Sequence, residues 1–145
     1  MIVHDFIIDG NPVPKGRPRL GKNKHVYTPK NTREEEARIK KILQLEIGKI
    51  ALIKRPVILG ITFFLKRPKR LAKANPGPIP HIVRPDLDNL VKLISDAANE
   101  ILYHDDSNIY KMEVEKYYHA LDSKPHTKIT LKYPPDPFSC LKKKT

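Results

Sequence analysis

The chain has 145 residues, 39% of them hydrophobic and 30% charged, enough to bury one core and too few for two. Twenty-eight Lys and Arg stand against sixteen Asp and Glu, a formal charge of +12, so the long-range field attracts polyanions and nucleic acid is the first partner to consider. The longest apolar runs are too short to span a bilayer and the N-terminus lacks the pattern of a secretory signal. Cys140 has no second cysteine to bridge. Membrane binding is therefore not expected, and a reducing cytoplasm is.

Ile2 to Ile8 is rich in β-branched and apolar residues and stops at Asp9-Gly10-Asn11-Pro12, which predicts a strand and a turn. From Pro12 to Pro29 the chain is basic, proline-rich and unpatterned, a loop. Apolar residues then recur at Ala37, Ile39, Ile42, Leu43, Leu45 and Ile50, predicting a helix over about 32–49. Thr32 and Glu35 have the spacing of a capping box, and Glu34 to Glu36 suit the helix dipole without implying a function.

Pro56 precedes a β-branched and aromatic run from Val57 to Leu65, a largely buried strand. Lys66 to Arg84 holds four prolines, six Lys or Arg and no acid, and reads as a mobile basic loop. Residues 87–101 place Leu87, Leu90, Val91, Ile94, Ala97, Ala98 and Ile101 on one side of an amphipathic helix. Ile109 to Tyr118 and Thr127 to Tyr133 alternate as two strands, joined near Leu121 to Pro125 as a hairpin. Residues 1–133 thus read as one domain, and 134–145 as a flexible basic tail.

The sharpest feature is a group of acids in this basic chain: Asp86 and Asp88 at the start of the second helix, and Asp105-Asp106 just beyond its end. With Leu87 and Leu90 inward, Asp88, Lys92, Ser95, Asp96 and Asn99 share the accessible face. Asp86 and Asp88 can converge at the helix N-terminus, where negative charge is favoured, and two acids there suit a divalent cation. Phosphodiester hydrolysis needs a nucleophilic water at neutral pH and compensation of charge on phosphate and leaving oxygen, which oxygen-ligated Mg²⁺ supplies. Lys92 is placed to stabilise the transition state or the departing oxygen. Taken singly, Asp86 or Asp88 also reads as a helix cap and Asp105-Asp106-Ser107-Asn108 as a turn; their joint occurrence favours a site.

The block Asp86-Leu87-Asp88-Asn89-Leu90 with Lys92, Asp96-Ala97 and Asp105-Asp106-Ser107 resembles the signature of RusA-type endodeoxyribonucleases of bacteria and their prophages. Pro14-Lys15-Gly16-Arg17-Pro18-Arg19, with Tyr27-Thr28-Pro29, is similar to the N-terminal loop of the phage-like branch. The resemblance covers roughly residues 5–133, with order and spacing agreeing at several separate points. It implies an α+β fold, a small mixed β-sheet with two main helices, and a homodimeric, Mg²⁺-dependent resolvase of Holliday junctions, with Mn²⁺ as the other possible ion. Asp86, Asp88 and Asp106 match the family's essential acids and Lys92 its essential lysine, while Asp105 matches a further acid. The 68–80 loop and the 134–145 tail depart from the pattern and bear on substrate preference.

Geometry limits how these acids meet. A helix from Asp88 to Ile101 is about 20 Å long at ~1.5 Å per residue, while the five residues from Ile101 to Asp106 reach at most ~17 Å. Either the helix ends early, or Asp106 joins Asp86 and Asp88 of the other subunit across a two-fold axis. Lys15, Arg17, Arg19, Lys22 and Lys24 in the first loop, Lys66, Arg67, Lys69, Arg70 and Lys73 in the second, and Arg84 before the acids are candidates to grip DNA phosphates independently of sequence. His104 reads as incidental to a hard-metal site, and nothing signals a small-molecule cofactor. Two other readings stand beside the resolvase: a non-enzymatic, structure-selective DNA-binding module, which needs no metal and survives Asp86→Asn, and a metal nuclease acting on another nucleic acid.

Overall fold

In the computed structural model, residues 1–17, 19–22, 25–27, 29–47 and 54–135 are described. The expected helix end at 48–49, Lys24 and the tail from 136 onward lie outside these residues. Val57–Leu65 (β4) is apolar at nearly every position and takes the middle of a five-stranded sheet, as a doubly flanked strand must. Ile2–Asp9 (β1), Ile79–Pro80 (β5), Ile109–Tyr118 (β6) and His126–Tyr133 (β7) complete it in the order β1-β7-β4-β6-β5. β4 and β6 run parallel, while β7 is antiparallel to both β1 and β4. The fold is α+β, with a mixed sheet as expected.

The expected hairpin between residues 109–118 and 127–133 is not formed. β6 and β7 lie on opposite sides of β4, which separates them. The most apolar strand claims both neighbours, and the 119–125 connection passes across its end, with His119 N–H donating to Leu65 O over 3.0 Å. Arg19–Leu20 (β2) and Val26–Tyr27 (β3) form a separate two-stranded ribbon inside the segment expected to be unpatterned.

Lys30–Ile47 (α1) and Leu87–Ala98 (α2) share one core with the sheet. Ile39 and Leu43 of α1, Leu90, Leu93 and Ala97 of α2, and Leu59, Ile61 and Phe63 of β4 are buried together. Each buried leucine contributes about 1.5–3 kcal/mol. The expected capping box at Thr32 is replaced: α1 begins at Lys30, and Thr32 turns inward, where its Oγ1 accepts from Gly16 N–H over 2.9 Å.

α2 stops at Ala98, three residues before its apolar pattern ends. Glu100 adopts a left-handed φ of 65°, turning the chain so that Ile101, Leu102 and Tyr103 enter the core from a turn. β6 then enters the sheet through a bulge, since Val57 faces Ile109 while Ile58 faces Lys111. The extra residue, Tyr110, is left exposed beside the turn that carries Asp106.

Candidate active site

Asp86 occupies the N-cap position of α2 in extended conformation, and Leu90 N–H closes the first turn onto its carbonyl at 3.2 Å. Its side chain makes no capping hydrogen bond. Asp86 instead lines a cleft of about 600 Å³ together with Pro14, Lys15, Arg17, Arg84, Pro85 and Asn89. Lys116 on β6 fixes the chain just before it, with Nζ donating to the carbonyls of Val83 and Pro85 at 2.7 Å each. Arg17 and Arg84, 67 positions apart in sequence, thereby stand around one acid.

The loop wall of the cleft is held by main-chain and side-chain bonds. Lys15 N–H donates to Asn89 O at 3.0 Å, and its ammonium pairs with Asp96 of α2 and, at 3.1 Å, with Glu36 of α1. Burial pulls the Lys15 pKa down, but the hydrogen bonds and charges of Asp96 and Glu36 outweigh it, so the ammonium stands above its ordinary value. Lys15 was expected among the phosphate-gripping cations; it faces two carboxylates.

Asp88 and Lys92 border a second hollow, of about 510 Å³, between α2 and β6, whose walls include Leu87, Val91, Ser95 and Val114. Lys92 is largely exposed, with Nζ 3.9 Å from Asp96. Asp88 Oδ1 accepts from Asn89 N–H at 2.9 Å. Asp106 borders a third hollow of about 360 Å³, with Ser95, Ile109, Tyr110 and Met112. Ser95 belongs to both, seven residues and about 10.5 Å along the helix from Asp88.

Of the neighbouring acids, Asp105 is the one used structurally. Its carboxylate caps the 3₁₀ turn Asp106–Asn108 by accepting from Ser107 N–H, and Asn108 Oδ1 accepts from Asp105 N–H in return. The Ser107 bonds hold the Asp105 carboxyl below the usual carboxylate range. Asp106 is exposed. Although α2 ends early, no three His, Cys, Asp or Glu side chains among the described residues form a group able to hold a metal. Within one chain Asp86, Asp88 and Asp106 therefore border three separate hollows and do not converge.

The basic residues divide. Arg17, Lys66, Lys69, Arg70, Lys73 and Arg84 are exposed, as phosphate contacts need to be. Arg67 is not: it is 8% exposed, and its guanidinium donates to the carbonyls of Leu71, Asn75, Gly77 and His119. The expectation that Arg67 grips DNA is corrected on this ground, since a buried guanidinium already filled with carbonyls has no donors to offer. It organises the 66–84 loop, which was expected to be mobile. Arg19 lies in the β2–β3 ribbon, paired with Tyr27. Sequence reasoning missed Asn89 as part of the cleft and Lys116 as the support of the chain that leads into it. Asn89, three residues from Asp86 on the same helical turn, had a legible signal; Lys116, one charge in an alternating strand, had none.

No helix among the described residues is long and apolar enough to cross a membrane. The chain is similar to the uncharacterized protein YqaN of Bacillus subtilis (strain 168), 28% identical over 123 residues that cover 78% of this chain and 86% of that one. The sequence profile of the family described as Endodeoxyribonuclease RusA matches residues 9–132, spanning the cleft, both helices and the strands β4 to β7 in whole or large part, with only Asp9 of β1 inside it. The chain belongs to the RusA family of endodeoxyribonucleases.

Proposed function

We propose that this protein is a divalent-metal-dependent endonuclease that cuts branched DNA, four-way junctions above all, as a homodimer in the recombination and repair of bacterial or prophage DNA. The observation that carries the reading is Asp86, which takes the N-cap position of α2 yet makes no side-chain cap bond and lines a cleft with Arg17 and Arg84. A structural cap would hold the N–H groups of the first turn. Cations suited to a phosphate, set around an acid suited to a metal ion, fit phosphodiester cleavage.

The donor chemistry fits Mg²⁺ or Mn²⁺, because Asp86 and Asp88 offer only hard carboxylate oxygens and Mg²⁺ is commonly held by one or two carboxylates with phosphate and water. When bound, such an ion lowers the pKa of a water and neutralises charge on the phosphate. Arg17 and Arg84 orient the phosphate backbone by charge-assisted hydrogen bonds. Lys92, exposed beside Asp88, offers a positive group to the developing charge on the leaving oxygen. The exposed cations of the 66–84 loop hold the arms without regard to sequence.

Asp106 completes the site from the partner copy. Two facts support this: Asp106 does not converge with Asp86 and Asp88 in one chain, and the hollow between α2 and β6 that Asp88 borders is walled by Leu87, Val91 and Val114, an apolar lining a second protomer would cover. β6 leaves an open edge there, since β5 pairs only with Tyr117 and Tyr118.

The test is cleavage of a labelled four-way junction, against duplex of the same arms, by wild type, Asp88→Asn and Asp106→Asn, with Mg²⁺ and with EDTA. Symmetric nicking by wild type alone, abolished by EDTA while binding persists, is expected. Mixing the two inactive variants is expected to restore single nicks, because one site of the mixed dimer then carries no substitution; a mixture that stays inactive would place the three acids in one chain. Junction binding with no cleavage under any condition would make the protein a DNA-binding module.

A further inference from the structure

We propose that Lys15 is a positioning residue of the cleft, a clasp that sets the distance between the loop bearing Arg17 and the start of α2 bearing Asp86, and not a phosphate contact. The inference rests on the nuclease reading above and adds to it what keeps the cleft in shape.

Lys15 is the point where three elements meet. Its N–H donates to Asn89 O in the first turn of α2, and its ammonium lies between Asp96, further along α2, and Glu36 on α1. The next residue adds a fourth tie, Gly16 N–H to Thr32 Oγ1 at 2.9 Å. Arg17 follows at once, exposed at the cleft. The Lys15 side chain is only 21% exposed and its carboxylate partners are 21% and 30% exposed, so the pairs are screened less than surface ion pairs.

One oxygen shows how much the arrangement depends on this lysine. Glu36 Oε1 is buried, and among the described residues the Lys15 ammonium 3.1 Å away is the group that compensates it. A lysine turned outward to a phosphate would leave that oxygen buried and uncompensated, which is costly. The ammonium is therefore committed to the protein, and DNA near the cleft meets Arg17 and Arg84.

A positioning role and a phosphate contact predict different measurements. A phosphate contact acts on binding: its loss weakens affinity and lowers the salt slope by about one. A clasp acts on the bound complex, since a displacement of about 1 Å in a catalytic group costs up to about 100-fold in rate.

The experiment compares wild type, Lys15→Met, Lys15→Arg and the double variant Lys15→Met/Glu36→Gln as full chains. Three quantities are read: junction Kd against salt in EDTA, the single-turnover cleavage rate at saturating protein with Mg²⁺, and the melting temperature. Lys15→Met is expected to keep the wild-type salt slope while cleaving the saturated junction at least about 10-fold more slowly. Lys15→Arg, which keeps a cation between the two carboxylates, restores most of the rate. The double variant regains melting temperature by removing the stranded carboxylate, but not cleavage. A salt slope reduced by about one with an unchanged saturated rate would overturn the proposal, as would a double variant that recovers rate and stability together. Asp86→Asn is run alongside: wild-type cutting by that variant would remove the cleft from catalysis and the proposal with it, whereas an inactive Asp86→Asn with a fully active Lys15→Met sinks the clasp alone.

Discussion

The Tyr103 hydroxyl donates to the Ser95 carbonyl oxygen over 2.8 Å, tying the turn that leads to Asp106 onto the middle of α2. Tyr103 is fully buried, and burial, aided by the charges of Asp106, Asp96 and Asp105, pushes its pKa up, so the group stays a protonated donor. Tyr103→Phe is expected to lower stability by about 0.5–1.5 kcal/mol and to slow cleavage by loosening Asp106 against the helix. Urea unfolding and single-turnover cleavage check the two effects; an unchanged midpoint would mean the hydroxyl adds nothing to the fold.

Arg67→Lys is expected to cost about 2–4 kcal/mol, because a single ammonium cannot reach the four carbonyls that the guanidinium fork serves, and buried acceptors are left unmet. The salt slope of junction binding should not move. A slope reduced by one with normal stability would return Arg67 to the DNA-binding surface.

Asp105 sets an acid limit. Its carboxyl is depressed below 3.8, chiefly by the hydrogen bonds of Ser107, so it favours the folded state while charged. That contribution is complete above the unfolded value near 3.8 and is lost as pH falls through the lower folded value. Asp105→Ala should therefore be less stable than wild type at neutral pH, with the gap narrowing only below pH 3.8. Denaturation midpoints at neutral and strongly acid pH test this, and a gap of constant size would be inconsistent with it.

Gly16→Ala should disturb the cleft directly. A Cβ there would stand 2.8 Å from Thr32 Oγ1 and 2.9 Å from Pro29 Cγ, too close for either, so the loop must lift off α1. About 1–3 kcal/mol of stability and a large part of the cleavage rate are expected to go. Gly77→Ala, whose Cβ would meet only Asn75 Oδ1 at 3.4 Å, is the control and should keep its activity.

Local pattern made much of this molecule legible. The bounds of β4 and β6 and the start of α2 follow from apolar runs and periodicity, and the acids Asp86, Asp88 and Asp106 stand out against a basic chain. What was not legible is non-local. β6 and β7 both alternate as hairpin strands do, and only competition for the edges of β4 decides that neither pairs with the other. Ile101 continues the apolar stripe of α2, yet it is buried from a turn, because a buried side chain constrains where the chain passes and not how. Thr32 has the spacing of a cap and is recruited inward by Gly16, sixteen residues away. Lys15 and Arg67 read as two more surface cations, and their partners lie on other elements.

The strand order also governs when the protein can assemble. β7, the last strand among the described residues, lies between β1, the first, and β4, so Phe6 pairs with Ile129 and Ile61 pairs with that same Ile129 from the other side. A nascent chain ending before His126 has nothing to join β1 to β4, whose facing edges stay unpaired until β7 is made. Closure of the sheet is therefore a late, long-range event. β7 must be made before the cleft formed by the early loop and the second helix rests on a continuous sheet.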